Sequence, residues 1–82
     1  MIHDNLLLVE KLDLSGRELK DIAEINVLIN LAELDISDNP LADISVTHGL
    51  GKLRKLTMRG VNVSEKQIAA LREVNPKCEI IV

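Results

Sequence analysis

The chain has 82 residues, 46% apolar and 28% charged, with a net charge of −3. That suffices for one small soluble core and leaves no room for a second. It holds no Phe, Tyr or Trp, which weighs against base-stacking nucleic-acid modules, and its acidic balance weighs against a protein that coats DNA.

In chain order, the first apolar run is Leu6-Leu7-Leu8-Val9, preceded by Asp4. It is too short for a signal-peptide core or a membrane span. Residues 1–8 read as the second half of a repeated unit, with a short helix starting near Asp4 that shields one end. The alternation at Leu12-Asp13-Leu14 points two apolar side chains inward and the residue between them outward, and it returns at Leu34-Asp35-Ile36 and Leu56-Thr57-Met58. Three short strands are therefore predicted near 11–15, 33–37 and 55–59. Between the first two strands an apolar residue stands at every third position: Leu19, Ile22, Ile25, Leu28 and Leu31. The second copy of that segment departs at Thr47, where an aliphatic residue is expected. Ser64-Glu65-Lys66-Gln67 is a capping-box pattern. It predicts a helix over 64–74 with Ile68, Leu71 and Val74 on one face, stopped by Pro76. Residues 75–82 read as a terminal strand.

These elements repeat with a step of 22 residues. Leu12, Leu34 and Leu56 fall in register, as do Val9, Leu31 and Leu53, and Leu6, Leu28 and Leu50. Another step of 22 carries Leu56 to Cys78 and Met58 to Ile80. No simple helix or strand period generates this pattern, so the unit itself is repeated. The divisions are 1–8, 9–30, 31–52, 53–74 and 75–82, within a single domain.

The segment Leu31-Ala32-Glu33-Leu34-Asp35-Ile36-Ser37-Asp38-Asn39-Pro40-Leu41 resembles the L-x-x-L-x-L-x-x-N-x-L signature of leucine-rich repeats. The 22-residue period resembles the internalin-like or SDS22-like subclass, and residues 64–82 resemble the terminal cap of many bacterial members. The signature asparagine occurs only at Asn39; its counterparts are Arg17 and Val61. The resemblance implies an α/β fold: a short right-handed solenoid of about four strands. Its parallel sheet forms the concave face, and short helices and turns form the convex face. It also implies a protein-interaction module rather than an enzyme.

Chemistry-bearing motifs are sparse. His3 and His48 have no Cys or His beside them, whereas a metal site needs three or four converging ligands. The four glycines form no phosphate loop. No catalytic residue, cofactor, metal, small-molecule substrate or membrane contact is expected. A lone cysteine, Cys78, cannot form an internal disulfide, so a reducing, cytoplasmic compartment is expected. Its register places it in the core as a small hydrophobe, with a reactive thiol as the other reading.

The outward strand positions give three predicted rows: Lys11, Glu33, Lys55, Lys77; then Asp13, Asp35, Thr57, Glu79; then Ser15, Ser37, Arg59, Ile81. Lys11, Asp13, Ser15, Glu33, Asp35, Ser37, Lys55, Thr57 and Arg59 are the candidate partner-binding residues. Asp13 beside Asp35 sets like charges directly opposite. Either this acidic patch, with Ser15, Ser37 and Asp38, receives a partner's Lys or Arg, or solvent simply screens it. Residues 1–43 carry ten acids and three bases, and residues 44–82 carry three acids and seven bases. In a solenoid this makes one end acidic and the other basic, which suggests head-to-tail association between copies as the alternative role. The basic residues Lys52, Arg54, Lys55, Arg59 and Lys77 are the remaining candidates, for phosphate or nucleic acid.

Overall fold

A computed structural model describes residues 7–82. The helix expected near Asp4 lies outside the described residues. Strands β1 (Lys11–Asp13), β2 (Glu33–Asp35), β3 (Lys55–Thr57) and β4 (Glu79–Ile81) form one parallel sheet in the order β1-β2-β3-β4. Between strands the chain returns through a 3-10 helix at Ala23–Val27, a second at Ser45–Gly49, and the α-helix α1 at Glu65–Val74. These pack side by side as a second layer.

The three-residue spacing of Ile22, Ile25 and Leu28 suits a 3-10 helix, which has three residues per turn and so keeps all three on one face. All three are buried. Asp21 and Asp43 start the two turns: their Oδ1 atoms accept the amides of Ala23 at 2.6 Å and Ser45 at 2.7 Å. Thr47 is fully buried, and its hydroxyl donates to the Ile44 carbonyl at 2.6 Å. The departure from an aliphatic residue is thus absorbed by one local hydrogen bond.

The strands are three residues long rather than five because the backbone turns sharply just beyond them. Gly16, Asp38 and Gly60, 22 residues apart, have φ of 64°, 57° and 74°. Glycine takes this left-handed region without steric cost, and aspartate tolerates it. Ladder bonds continue past the strand ends, with the amides of Leu14, Ile36 and Met58 donating to the carbonyls of Asp35, Thr57 and Ile81, each at 2.8 Å.

Two expectations are corrected at the C-terminal end. First, β4 pairs with Glu79 opposite Lys55, Ile80 opposite Leu56 and Ile81 opposite Thr57. The last step is therefore 24 residues, not 22. Ten-residue α1 replaces a five-residue 3-10 turn and consumes the extra length. The slip of two keeps every side chain on its expected face, since strand side chains alternate with period two. Cys78 consequently does not align with Leu56. Its amide donates to the Asn75 carbonyl at 3.0 Å, as Leu31 does to Leu28 and Leu53 to Leu50. Cys78 holds the buried position just before the strand.

Second, Leu71 of α1 is buried, Ile68 is half-buried, and Val74 is 56% exposed. Three-residue spacing drifts about 60° per step around an α-helix, so the third residue leaves the core. The Ser64 Oγ accepts the Gln67 amide at 3.3 Å, as a capping box requires. The Gln67 carboxamide reaches across to the neighbouring 3-10 turn instead, donating to the Ala42 carbonyl at 2.8 Å and accepting the Ile44 amide at 2.9 Å. It thereby fastens α1 to the preceding unit.

The core is aliphatic and centred on the middle units, where Leu31, Ile36, Ile44, Leu53 and Leu56 are wholly buried. Leu12, Leu14 and Leu19 at one end and Ile80 at the other are only partly covered. Burying such side chains fully is worth about 1.5–3 kcal/mol each. No unit could achieve that alone, so the units stabilise one another.

Candidate functional site

The concave face of the sheet carries a shallow depression of about 390 Å³, whose polar lining comes from Lys11, Asp13, Glu33, Asp35, Lys55 and Thr57. Six of the nine candidate residues are thus brought together. All six are exposed or half-exposed, while Leu34 and Leu56 between them point into the core. Ser15, Ser37 and Arg59 lie beyond the strand ends and outside the depression. Ser37 is buried, and its hydroxyl accepts the Arg59 amide at 3.0 Å, which makes it part of the scaffold.

The corrected register changes the rows. The first is Lys11, Glu33, Lys55, Glu79, alternating in sign across the whole sheet, and Lys77 is not in it. Lys11 Nζ lies 3.4 Å from Glu33 Oε2. Both side chains are exposed, so this pair adds little stability. The second row is Asp13, Asp35, Thr57, Ile81, with Ile81 where Glu79 was expected. The length of the α1 segment was the available signal, since a full α-helix cannot fit the span of a single 3-10 turn.

Asp13 and Asp35 stand opposite each other, and each is engaged with its own strand end. Asp13 Oδ1 accepts the Ser15 amide at 2.9 Å and the Ser15 hydroxyl at 2.6 Å. Asp35 Oδ1 accepts the Ser37 amide at 2.9 Å. These turns give the like-charged pair a structural role and still leave carboxylate edges facing the depression. The Ser15 bonds, the side-chain one first, hold the Asp13 carboxyl below its ordinary value of 3.8.

Asn39 is buried and joins two units. Its Oδ1 accepts the amides of Arg17 and Leu19, both at 3.0 Å, and its Nδ2 donates to the Leu14 carbonyl at 2.9 Å and the Ile36 carbonyl at 3.0 Å. The basic residues do not act as one group. Lys52 Nζ donates to Asn30 Oδ1 at 2.7 Å, and Arg54 Nη1 donates to the carbonyls of Gly51 and Leu53. Among the described residues no three His, Cys, Asp or Glu stand close enough to hold a metal ion, and no helix is long and apolar enough to cross a membrane. The Cys78 thiol is pushed up by burial.

Repeating strand–turn units, one parallel sheet and a buried asparagine that bridges two units define the fold of a short leucine-rich-repeat solenoid. The chain is similar to the solved structure of a leucine-rich-repeat protein of Leptospira interrogans, with 30% identity and a TM-score of 0.78 over 98% of this chain and 21% of that one. It thus spans about a fifth of that protein's length. No family model matches the chain, and no curated protein matches it.

Proposed function

We propose that the chain is a protein-binding module that receives its partner in the depression of the concave sheet face. Leucine-rich-repeat solenoids generally serve as protein-interaction modules, and that likeness is a fold-level analogy. The observation that carries the reading is the row Lys11, Glu33, Lys55, Glu79. Charges of alternating sign stand on a rigid sheet, flanked by the carboxylates of Asp13 and Asp35 and by Thr57. Such a row selects a partner segment of complementary alternation, and a rigid frame limits the ordering cost of binding. With no aromatic residue in the chain, affinity comes from charge complementarity, so binding weakens with salt. The cytoplasm is the compartment that fits this reading, given the single buried thiol.

Affinity capture from a lysate tests it, with wild-type chain compared against the concave double variant Glu33→Lys/Lys55→Glu and the convex control Glu24→Lys. A partner retained by wild type and by the Glu24 control, but lost with the concave variant and at high salt, is the expected result. Equal retention by all three chains overturns the reading.

A further inference from the structure

We infer that the β4 edge accepts the β1 edge of a second copy of this chain, in parallel and in a defined register, so that one sheet continues through both molecules. The reading shares Lys11 and Glu79 with the concave row but needs no partner bound there. Among the described residues β1 and β4 are the two edges of the sheet, and edge strands carry unpaired backbone groups that template further pairing.

The repeat geometry says which groups meet. Within the molecule the amides of Glu33, Lys55 and Glu79 donate back to the carbonyls of Glu10, Ala32 and Arg54, and the amides of Leu14, Ile36 and Met58 donate forward to Asp35, Thr57 and Ile81. Carried one step on, the Lys11 amide of the second copy donates to the Cys78 carbonyl, and the Val82 amide donates to the Asp13 carbonyl of the second copy.

The side chains agree with that register on both faces. On the concave face Lys11 of the second copy stands beside Glu79, so the order Lys11, Glu33, Lys55, Glu79 continues with its signs alternating. Neighbouring strands lie about 4.8 Å apart, close enough for such pairs to interact. On the core face Leu12 and Leu14 of the second copy follow Ile80 and Val82. Leu12, Leu14 and Ile80 are only partly buried and Val82 is 69% exposed, so each gains cover. The acidic surplus of residues 1–43 also meets the basic surplus of residues 44–82. The contact is heterologous and repeats from copy to copy, giving open chains or rings rather than a closed two-fold dimer.

Light scattering coupled to size exclusion tests this across protein concentration at low and high salt. Wild type is expected to grow beyond 9.1 kDa with concentration and to shrink with salt. Glu79→Lys alone and Lys11→Glu alone are each expected to weaken association at least tenfold, because each sets like charges at the junction. Mixing the two variants restores it, since Glu at 11 then meets Lys at 79 and Lys11 meets Glu79. Far-ultraviolet circular dichroism confirms that both variants fold. As a second readout on wild type, exchange of the Lys11 and Val82 amides slows with rising concentration. A monomer at every concentration, a dimer that stops growing, association indifferent to both charge reversals, or no recovery on mixing each overturns the proposal.

Discussion

Asp38 and Gly60 stand one repeat apart, both in the left-handed backbone region, and the Asp38 Oδ1 lies 2.6 Å from where a Cβ on Gly60 would sit. Gly60→Ala therefore meets both a strained φ and an occupied space. The Asp38 side chain is exposed and can swing away, so the backbone term dominates. We expect a loss of about 1–2 kcal/mol, read from urea unfolding followed by circular dichroism. Asp38→Gly, which relieves the same conformation, is expected to leave stability unchanged or raise it. A Gly60→Ala chain as stable as wild type would contradict this account of the turn.

Asn39 satisfies the amides of Arg17 and Leu19 and the carbonyl of Leu14, all in the preceding unit. Asn39→Ala leaves these partly buried groups unpaired at about 1–3 kcal/mol each when fully desolvated. The variant should lose at least about 3 kcal/mol, a large part of the stability of so small a domain. Its unfolding midpoint in urea is the check. A loss below about 1 kcal/mol would show that the bridge is not needed.

Thr47 is wholly buried, and the Ile44 carbonyl that its hydroxyl reaches also accepts the Thr47 amide at 3.0 Å. Thr47→Val keeps the shape and leaves that carbonyl paired. It is expected to change stability by less than about 1 kcal/mol, in either direction. Thr47→Ser keeps the hydroxyl and loses a buried methyl, costing about 1 kcal/mol or more. If Val were the more damaging of the two, the hydroxyl would be the essential group.

The Asp13 and Asp43 carboxyls are both held below 3.8, Asp13 chiefly by the Ser15 hydroxyl and Asp43 chiefly by the Ser45 amide. A carboxyl with a lowered folded-state pKa contributes stability that is present above the unfolded value. That contribution is lost as pH falls through the folded one. Asp13→Asn and Asp43→Asn keep an acceptor oxygen and remove the titration. Between about pH 5 and pH 3 the thermal midpoint of the double variant should fall less steeply than that of wild type. Parallel curves would show that the two carboxyls carry no acid sensitivity.

The concave row shows how far a period read from sequence carries. Lys11, Glu33 and Lys55 align as the 22-residue step predicts, because those units have identical lengths and each backbone stacks on the one before. The step from Lys55 fails: Glu79, not Lys77, stands opposite it. The pattern at 64–74 reveals a helix but not how much axial rise that helix consumes. That rise is set by how α1 seats on the preceding 3-10 turn, through Leu71 and the Gln67 bonds to Ala42 and Ile44. Ser37 is similar. Its position marks it as outward, yet the turn folds its hydroxyl under the Arg59 amide.

By itself, then, the sequence determined the repeat, the parallel sheet, the aliphatic core and which face of each strand looks outward. Each of these follows from side-chain periodicity, a local property of the chain. Only the tertiary structure decided the register of β4 and the burial of Ser37. Each of these depends on where one unit's backbone lands against the next. That distance is fixed by packing and hydrogen bonding between residues 20 or more apart, which no local pattern encodes.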